Sequence, residues 1–141
     1  MQRTLTRVLL LLLGVAEGVP GLWPLITPIG FYQDFPGFRT GWISMDGPFN
    51  EHLIRDFGGL NLALAATLIG AAVIGTTAVA RLASVATLLF AVPHLIYHLG
   101  HVSHFEQLDR VLIIGTLSAS LVLPVVTLLL PGRRVSSPAT P

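Results

Sequence analysis

Four of the five histidines fall within thirteen residues, PHLIYHLGHVSHF, at His94, His98, His101 and His104. At about 100° per residue on a helix, His98 lies about 40° to one side of His94 and His101 about 20° to the other. Three imidazoles therefore share one helical face. Neutral imidazole is the commonest metal ligand and also titrates near neutral pH, so this face suits metal or haem ligation or proton transfer. His94, His98 and His101 are the candidate ligands of a His-bound metal or haem. Glu17 stands alone in the apolar stretch VLLLLLGVAEGVPGLWPLITPIG. An ionisable group in hydrocarbon is costly and by default faces the protein interior with a partner. Glu17, His94 and His98 are accordingly the candidates for acid–base catalysis. A third cluster, NEHLIRD, sets Glu51 against Arg55 and His52 against Asp56 at i,i+4 spacing, with Asn50 placed to cap the helix. Two readings of it stay open: an ordinary helix start, or the rim of a pocket facing His98 and His101. In the second, Glu51, His52, Arg55 and Asp56 join the histidines and Trp42 as candidate cofactor-binding residues.

The elements that must position these groups are membrane helices. The 141 residues are 52% hydrophobic and 11% charged, with net charge +1. A soluble domain is about 25% charged, so a soluble fold of this chain could not cover its surface. The basic residues are all Arg, and cysteine is absent. The second fact excludes disulfides, thiolate nucleophiles and Cys-ligated zinc. No basic surplus points to nucleic acid. Charge-free runs of 24, 24 and 22 residues separate Asp56 from Arg81, Arg81 from Glu106 and Arg110 from Arg133. Each exceeds the roughly 20 apolar residues that span a bilayer as helix. Before them, Val8 to Gly30 is 23 residues with one charge, read as a retained first helix. A positive flank and a short apolar core leave a cleavable signal peptide as the rival reading. Pro20 and Pro24 predict a kink or frayed outer end.

The expected fold is all-α: an integral membrane four-helix bundle over 1–132, with spans at about 8–27, 57–80, 82–101 and 111–131. Residues 133–141 are read as a disordered cytoplasmic tail. The second and third spans are expected to meet at Arg81. Between the first two spans lies a long extracytoplasmic loop, Pro28 to Asp56, holding six of the eleven aromatics. It reads either as an interfacial aromatic belt or as a lid over a cavity. Five Arg fall on the side of the termini against three on the other, so both termini are expected in the cytoplasm of a bacterial cell. Counting about 1.5 Å per residue from the inner surface puts Glu17 at about 15 Å and His94 at about 18 Å. The two are therefore expected within hydrogen-bonding reach. Thr67, Thr116 and Ser118 fall at similar or greater heights, which predicts a polar cavity opening outward.

The stretch FYQDFPG…W…DGPFNEHLIRDFGGLNLALA, followed by AVPHLIYHLGH, resembles uncharacterised small four-helix membrane proteins of actinobacteria, which are loosely similar to the DoxX-like group. The likeness covers roughly Phe31 to His101. It implies a four-helix membrane bundle, and one DoxX-like branch is associated with quinone-linked sulfur oxidation. No catalytic residue set of that group carries over.

The function classes open at this point are four. They are a binder of a lipid-like molecule such as a quinone or isoprenoid, an accessory subunit of a larger membrane complex, a His-based metal or haem site, and an acid–base membrane isomerase. The partners expected are the lipid bilayer, such a molecule or such a complex, and no nucleic acid. The topology has a direct check. Single cysteines replacing Thr40 or Ser103 are expected to react with an impermeant thiol reagent on intact cells, and one replacing Ser137 is not. Labelling at Ser137 would mean that the N-terminal segment is cleaved or that the orientation is reversed.

Overall fold

The computed structural model describes residues 2–130; the tail at 133–141 lies outside the described residues. The chain forms helices α1 (Gln2–Ile26), α2 (Pro28–Asp34), α3 (Glu51–Ile74), α4 (Thr77–His101) and α5 (Gln107–Leu129), with a single 3₁₀ turn, Val102–His104, after α4. Four of these helices are long and apolar enough to cross a membrane. Large apolar side chains such as Val15, Val73, Leu89 and Leu129 point outward from each of them. A soluble bundle would bury that surface; a bilayer solvates it.

The helix ends differ from those that charge counting implies. The α3–α4 turn is Gly75–Thr76, not Arg81. Gly75 takes the left-handed conformation, φ 70°, and its N–H donates to the Ala71 carbonyl, while Thr76 Oγ1 accepts from the Val79 N–H. A Gly followed by a Thr N-cap stops one helix and starts the next, and Arg81 merely lies one turn into α4. At the outer end of the bundle, the end away from the start of α1, α3 begins at Glu51, because Asn50 Oδ1 accepts from the Leu53 N–H. α1 does not fray early; it continues through Pro20 and Pro24 to Ile26. The expected loop from 28 to 56 is thus not one loop. α2 and the first turns of α3 occupy its two ends, and 35–50 connects them.

Neighbours in the bundle run α1–α3–α4–α5 and back to α1, with the α1–α3 contact the most extensive. Three glycines make it possible. A Cβ on Gly21 would lie 2.7 Å from the Leu62 backbone N, and one on Gly58 would lie 2.8 Å from Pro24 Cγ and 3.0 Å from the Gly21 carbonyl oxygen. A Cβ on Gly14 would lie 2.7 Å from Ile69 Cγ1 and 3.4 Å from the Ala65 carbonyl oxygen. The inner core then fills with Leu10, Leu13, Leu68, Ala71, Ala80 and Ala83.

Arginines close the exposed helix ends. Arg7 of α1 donates through Nε to the Ala72 carbonyl in the last turn of α3 (3.0 Å). Arg55 of α3 donates to the Leu25 carbonyl near the end of α1 (2.7 Å). Arg110 of α5 does the same for Phe105 and Ser103, just beyond α4. Arg7 and Arg55 meet carbonyls in the last turn of a helix, at the negative end of its dipole, whereas those that Arg110 meets lie in the turn between α4 and α5.

The close approach is testable by comparing a crowded glycine with an open one. Gly21→Ala is expected to destabilise the bundle by about 1–3 kcal/mol, the usual cost of overpacking, read as earlier unfolding in detergent. Gly59 has open space where a Cβ would go, so Gly59→Ala should leave stability unchanged or slightly raised.

Candidate functional site

The outer end of the bundle is built from the 35–50 segment. Phe31, almost fully buried, packs against Trp23 (6.0 Å), Phe35 (4.8 Å) and Phe57 (5.9 Å), which fixes α2 over the ends of α1 and α3. Positive φ at Gly37 and Gly41 then turns the chain back, and the Trp42 N–H donates to the Phe35 carbonyl. Trp42 is buried among Phe105 and Ile113, and its Nε1–H donates to Asp109 Oδ1 (3.0 Å). Arg39 donates to the same carboxylate through Nε and Nη2 and reaches Glu106 at 2.9 Å. The hydrogen bond that Arg39 donates to Asp109, with both carboxylates nearby, holds its guanidinium above the ordinary pKa. These groups tie the segment to the start of α5. Trp42 is thus an anchor of the segment. A shallow hollow of about 470 Å³ lies beside this anchor, lined by Phe38, Arg39, Met45 and Asp109 among others.

The other arm of the segment lies over the histidines. Tyr32 donates to the Gly47 carbonyl (2.8 Å) and packs edge-on against Phe49. That contact brings Asp46 to Tyr97, whose hydroxyl donates to Asp46 Oδ1 (3.4 Å). Asp46 also acts electrostatically on both His94 and His98. His94 stacks on Phe90 (5.0 Å, 20°), touches Phe57 (6.3 Å) and meets the His98 ring edge-on (4.8 Å). His98 Nδ1 is sealed from solvent and has no hydrogen-bond partner. The structure brings together His94 and His98, as their spacing implies, and adds Tyr97 and Asp46, which sequence reasoning missed. Asp46 sits in an irregular segment with no periodicity to aim it. Tyr97 was visible in PHLIYHLGH, but its hydroxyl had no foreseeable acceptor.

The remaining candidates take other places. His101 stacks flat on Tyr97 (4.1 Å, 10°), and its Nδ1 lies 2.7 Å from the Tyr97 carbonyl, which a ring N–H must satisfy. Glu51 pairs with Arg55 and His52 with Asp56, as the spacing implies. Arg55 is directed to the end of α1, and the His52 side chain is 87% exposed. Among the described residues no three His or carboxylate side chains group so as to hold a metal ion. Thr67 and Thr116 donate to carbonyls of their own helices.

Glu17 does face the interior and is 6% exposed. Its level, however, is not that of the histidines. Gly21 faces Asn61 and Leu62 and Gly14 faces Ala65 and Ile69, so Glu17 comes opposite residues near 65 of α3. His94 packs on Phe57, eight residues further out, a step of about 12 Å. No direct hydrogen bond joins Glu17 to His94 or His98. The sequence-based depths erred because α4 starts at Thr77, four residues before the assumed entry at Arg81, which lifts every histidine outward.

The anchor carries a prediction. Asp109→Asn is expected to weaken both the Arg39 and Trp42 bonds and to speed amide exchange across 35–50, while the helices keep their protection. Unchanged exchange in that segment would mean that the aromatic cluster alone holds it. No protein-family model, no curated protein and no solved structure matches this chain.

Proposed function

We propose that this multi-pass membrane protein binds a lipid-like small molecule, such as a quinone or isoprenoid, at the outer ends of α3 and α4, beneath the segment that carries Asp46. The observation that supports this reading is the partnerless ring nitrogen of His98, set among apolar rings and two polar groups, Tyr97 and Asp46. A sealed polar atom without a partner costs about 1–3 kcal/mol, and a ligand that supplies the partner recovers it. Imidazole suits a quinone-type head group because one tautomer accepts from a hydroxyl and the other donates to a carbonyl. Phe57 and Phe90 beside His94 offer an apolar wall for a ring or chain. The likeness to DoxX-like proteins seen in the sequence agrees with a quinone-linked role, in a bacterial cytoplasmic membrane with both termini inside.

A second reading, an accessory subunit of a larger complex, draws on a different observation. Of the four spanning helices α5 is the least buried, so it leaves the widest face for a partner helix or for lipid.

The two readings separate in one experiment. The protein is purified in mild detergent, extracted with organic solvent and analysed by mass spectrometry, and a short-chain menaquinone is titrated into protein in nanodiscs. Ligand binding predicts an enriched lipid-like compound. His98→Ala should weaken menaquinone binding about tenfold, the equivalent of one hydrogen bond of about 1.4 kcal/mol. No enrichment, no binding and one stoichiometric protein partner would establish the subunit reading instead.

A further inference from the structure

The polar layer around Glu17 has a composition of its own. Along α4, the same inward step of about 12 Å from Phe90 and His94 ends near Ser84 and Thr87. Both are fully buried, as is Asn61 on α3. Their donors are engaged by their own helices. Ser84 Oγ–H goes to the Ala80 carbonyl (2.9 Å), Thr87 Oγ1–H to Ala83 (3.0 Å), and one amide N–H of Asn61 to Phe57 (2.8 Å). What the two hydroxyls retain is acceptor lone pairs. Glu17 itself makes no hydrogen bond or ion pair with the described residues, although it is 94% buried, the complement of its 6% exposure.

Among the described residues no charged group faces it. On α3 the ionisable residues, Glu51, His52, Arg55 and Asp56, sit at the outer end; on α4 they are Arg81 at the inner end and the outer histidines; on α5 they are Asp109 and Arg110 at the outer start; on α2 the one acid is Asp34. Arg7, on α1 itself, is ten residues away, about 15 Å along the axis, and is directed to the end of α3.

A carboxylate here would have no ion-pair or hydrogen-bond partner among the described residues, in a medium where an unpaired charge is very costly. One proton changes this. Protonation removes the charge that burial penalises and turns the carboxyl into a hydrogen-bond donor as well as an acceptor. From the burial of Glu17 without an ion-pair or hydrogen-bond partner we infer that it is a proton-binding site within the membrane, occupied at neutral pH and separate from the outer histidine site.

The site should be open to a hydrophobic carbodiimide, which reacts with protonated carboxyls inside membranes. The acid proton passes to one carbodiimide nitrogen and a carboxyl oxygen bonds the central carbon. The resulting O-acylisourea rearranges to a stable N-acylurea, with nothing released. The test uses the full chain in lipid nanodiscs. Infrared spectra at neutral pH should show the carbonyl band of a buried protonated acid, present in the wild type, kept in Glu17→Asp and lost in Glu17→Gln. Dicyclohexylcarbodiimide should add one equivalent, mapped by peptide mass spectrometry to Glu17, while a water-soluble carbodiimide reaches only the outer carboxylates. If Glu17→Gln does not fold, the wild-type band and the mapped adduct still decide. Wild-type protein without the acid band, or labelled by the hydrophobic reagent only at other carboxylates, would overturn the inference. Both readouts are independent of menaquinone binding, so they stand or fall without the outer site.

Discussion

At Gly21 the backbone of α1 runs so near that of α3 that a single methyl group has no room. Little hydrophobic force draws helices together in lipid, because the tails are as apolar as leucine. Association depends on close van der Waals packing instead. Gly14, Gly21 and Gly58 permit it here, and the rest of the molecule is arranged around that pair. The register of α1 against α3 sets the height of Glu17, and the ends of the pair determine where α2 and the outer segment can lie.

The same constraint governs the helix ends. Backbone groups in or near hydrocarbon need protein partners, and arginine provides them. Arg7 and Arg55 form a reciprocal arrangement in which each of the two paired helices closes the other's carbonyl end. Arg110 repeats the device beyond α4. An arginine that reads as a topological signal in the sequence can therefore also be a structural clasp. Arg55, a candidate ligand from its neighbourhood in NEHLIRD, acts in this way.

Long-range polar contacts concentrate where the outer segment crosses the bundle. One arm is fixed through Trp42, Arg39 and Asp109; the other places Asp46 over Tyr97 and the two half-buried histidines. The anchor at one end and the polar cluster at the other belong to one short segment, so the order of that segment and the surroundings of His98 are coupled through few contacts. Further in, the layer at Glu17 is chemically distinct, with neutral groups whose donors are largely engaged. Two polar sites at two depths replace the single outward cavity that helical counting suggested.

Apolar runs broken by charges were enough to establish an all-helical chain with four spanning helices, because span length is set by bilayer thickness and side-chain transfer energies. The shared face of His94 and His98, the Asn50 cap and the i,i+4 pairs of NEHLIRD are local, so helical periodicity alone determined them. The inward aim of Glu17 followed from the cost of exposing it to lipid. Register did not. Charges mark where water begins, whereas helices stop at capping residues such as Gly75 and Thr76, and a shift of four residues at the start of α4 moves its histidines by about 6 Å. The pairing of Arg39 and Trp42 with Asp109, and of Asp46 with Tyr97, joins residues some fifty to seventy positions apart through an irregular segment. No periodicity reports such contacts; only the packing of α2 and α5 beside the glycine-lined helix pair brings them together.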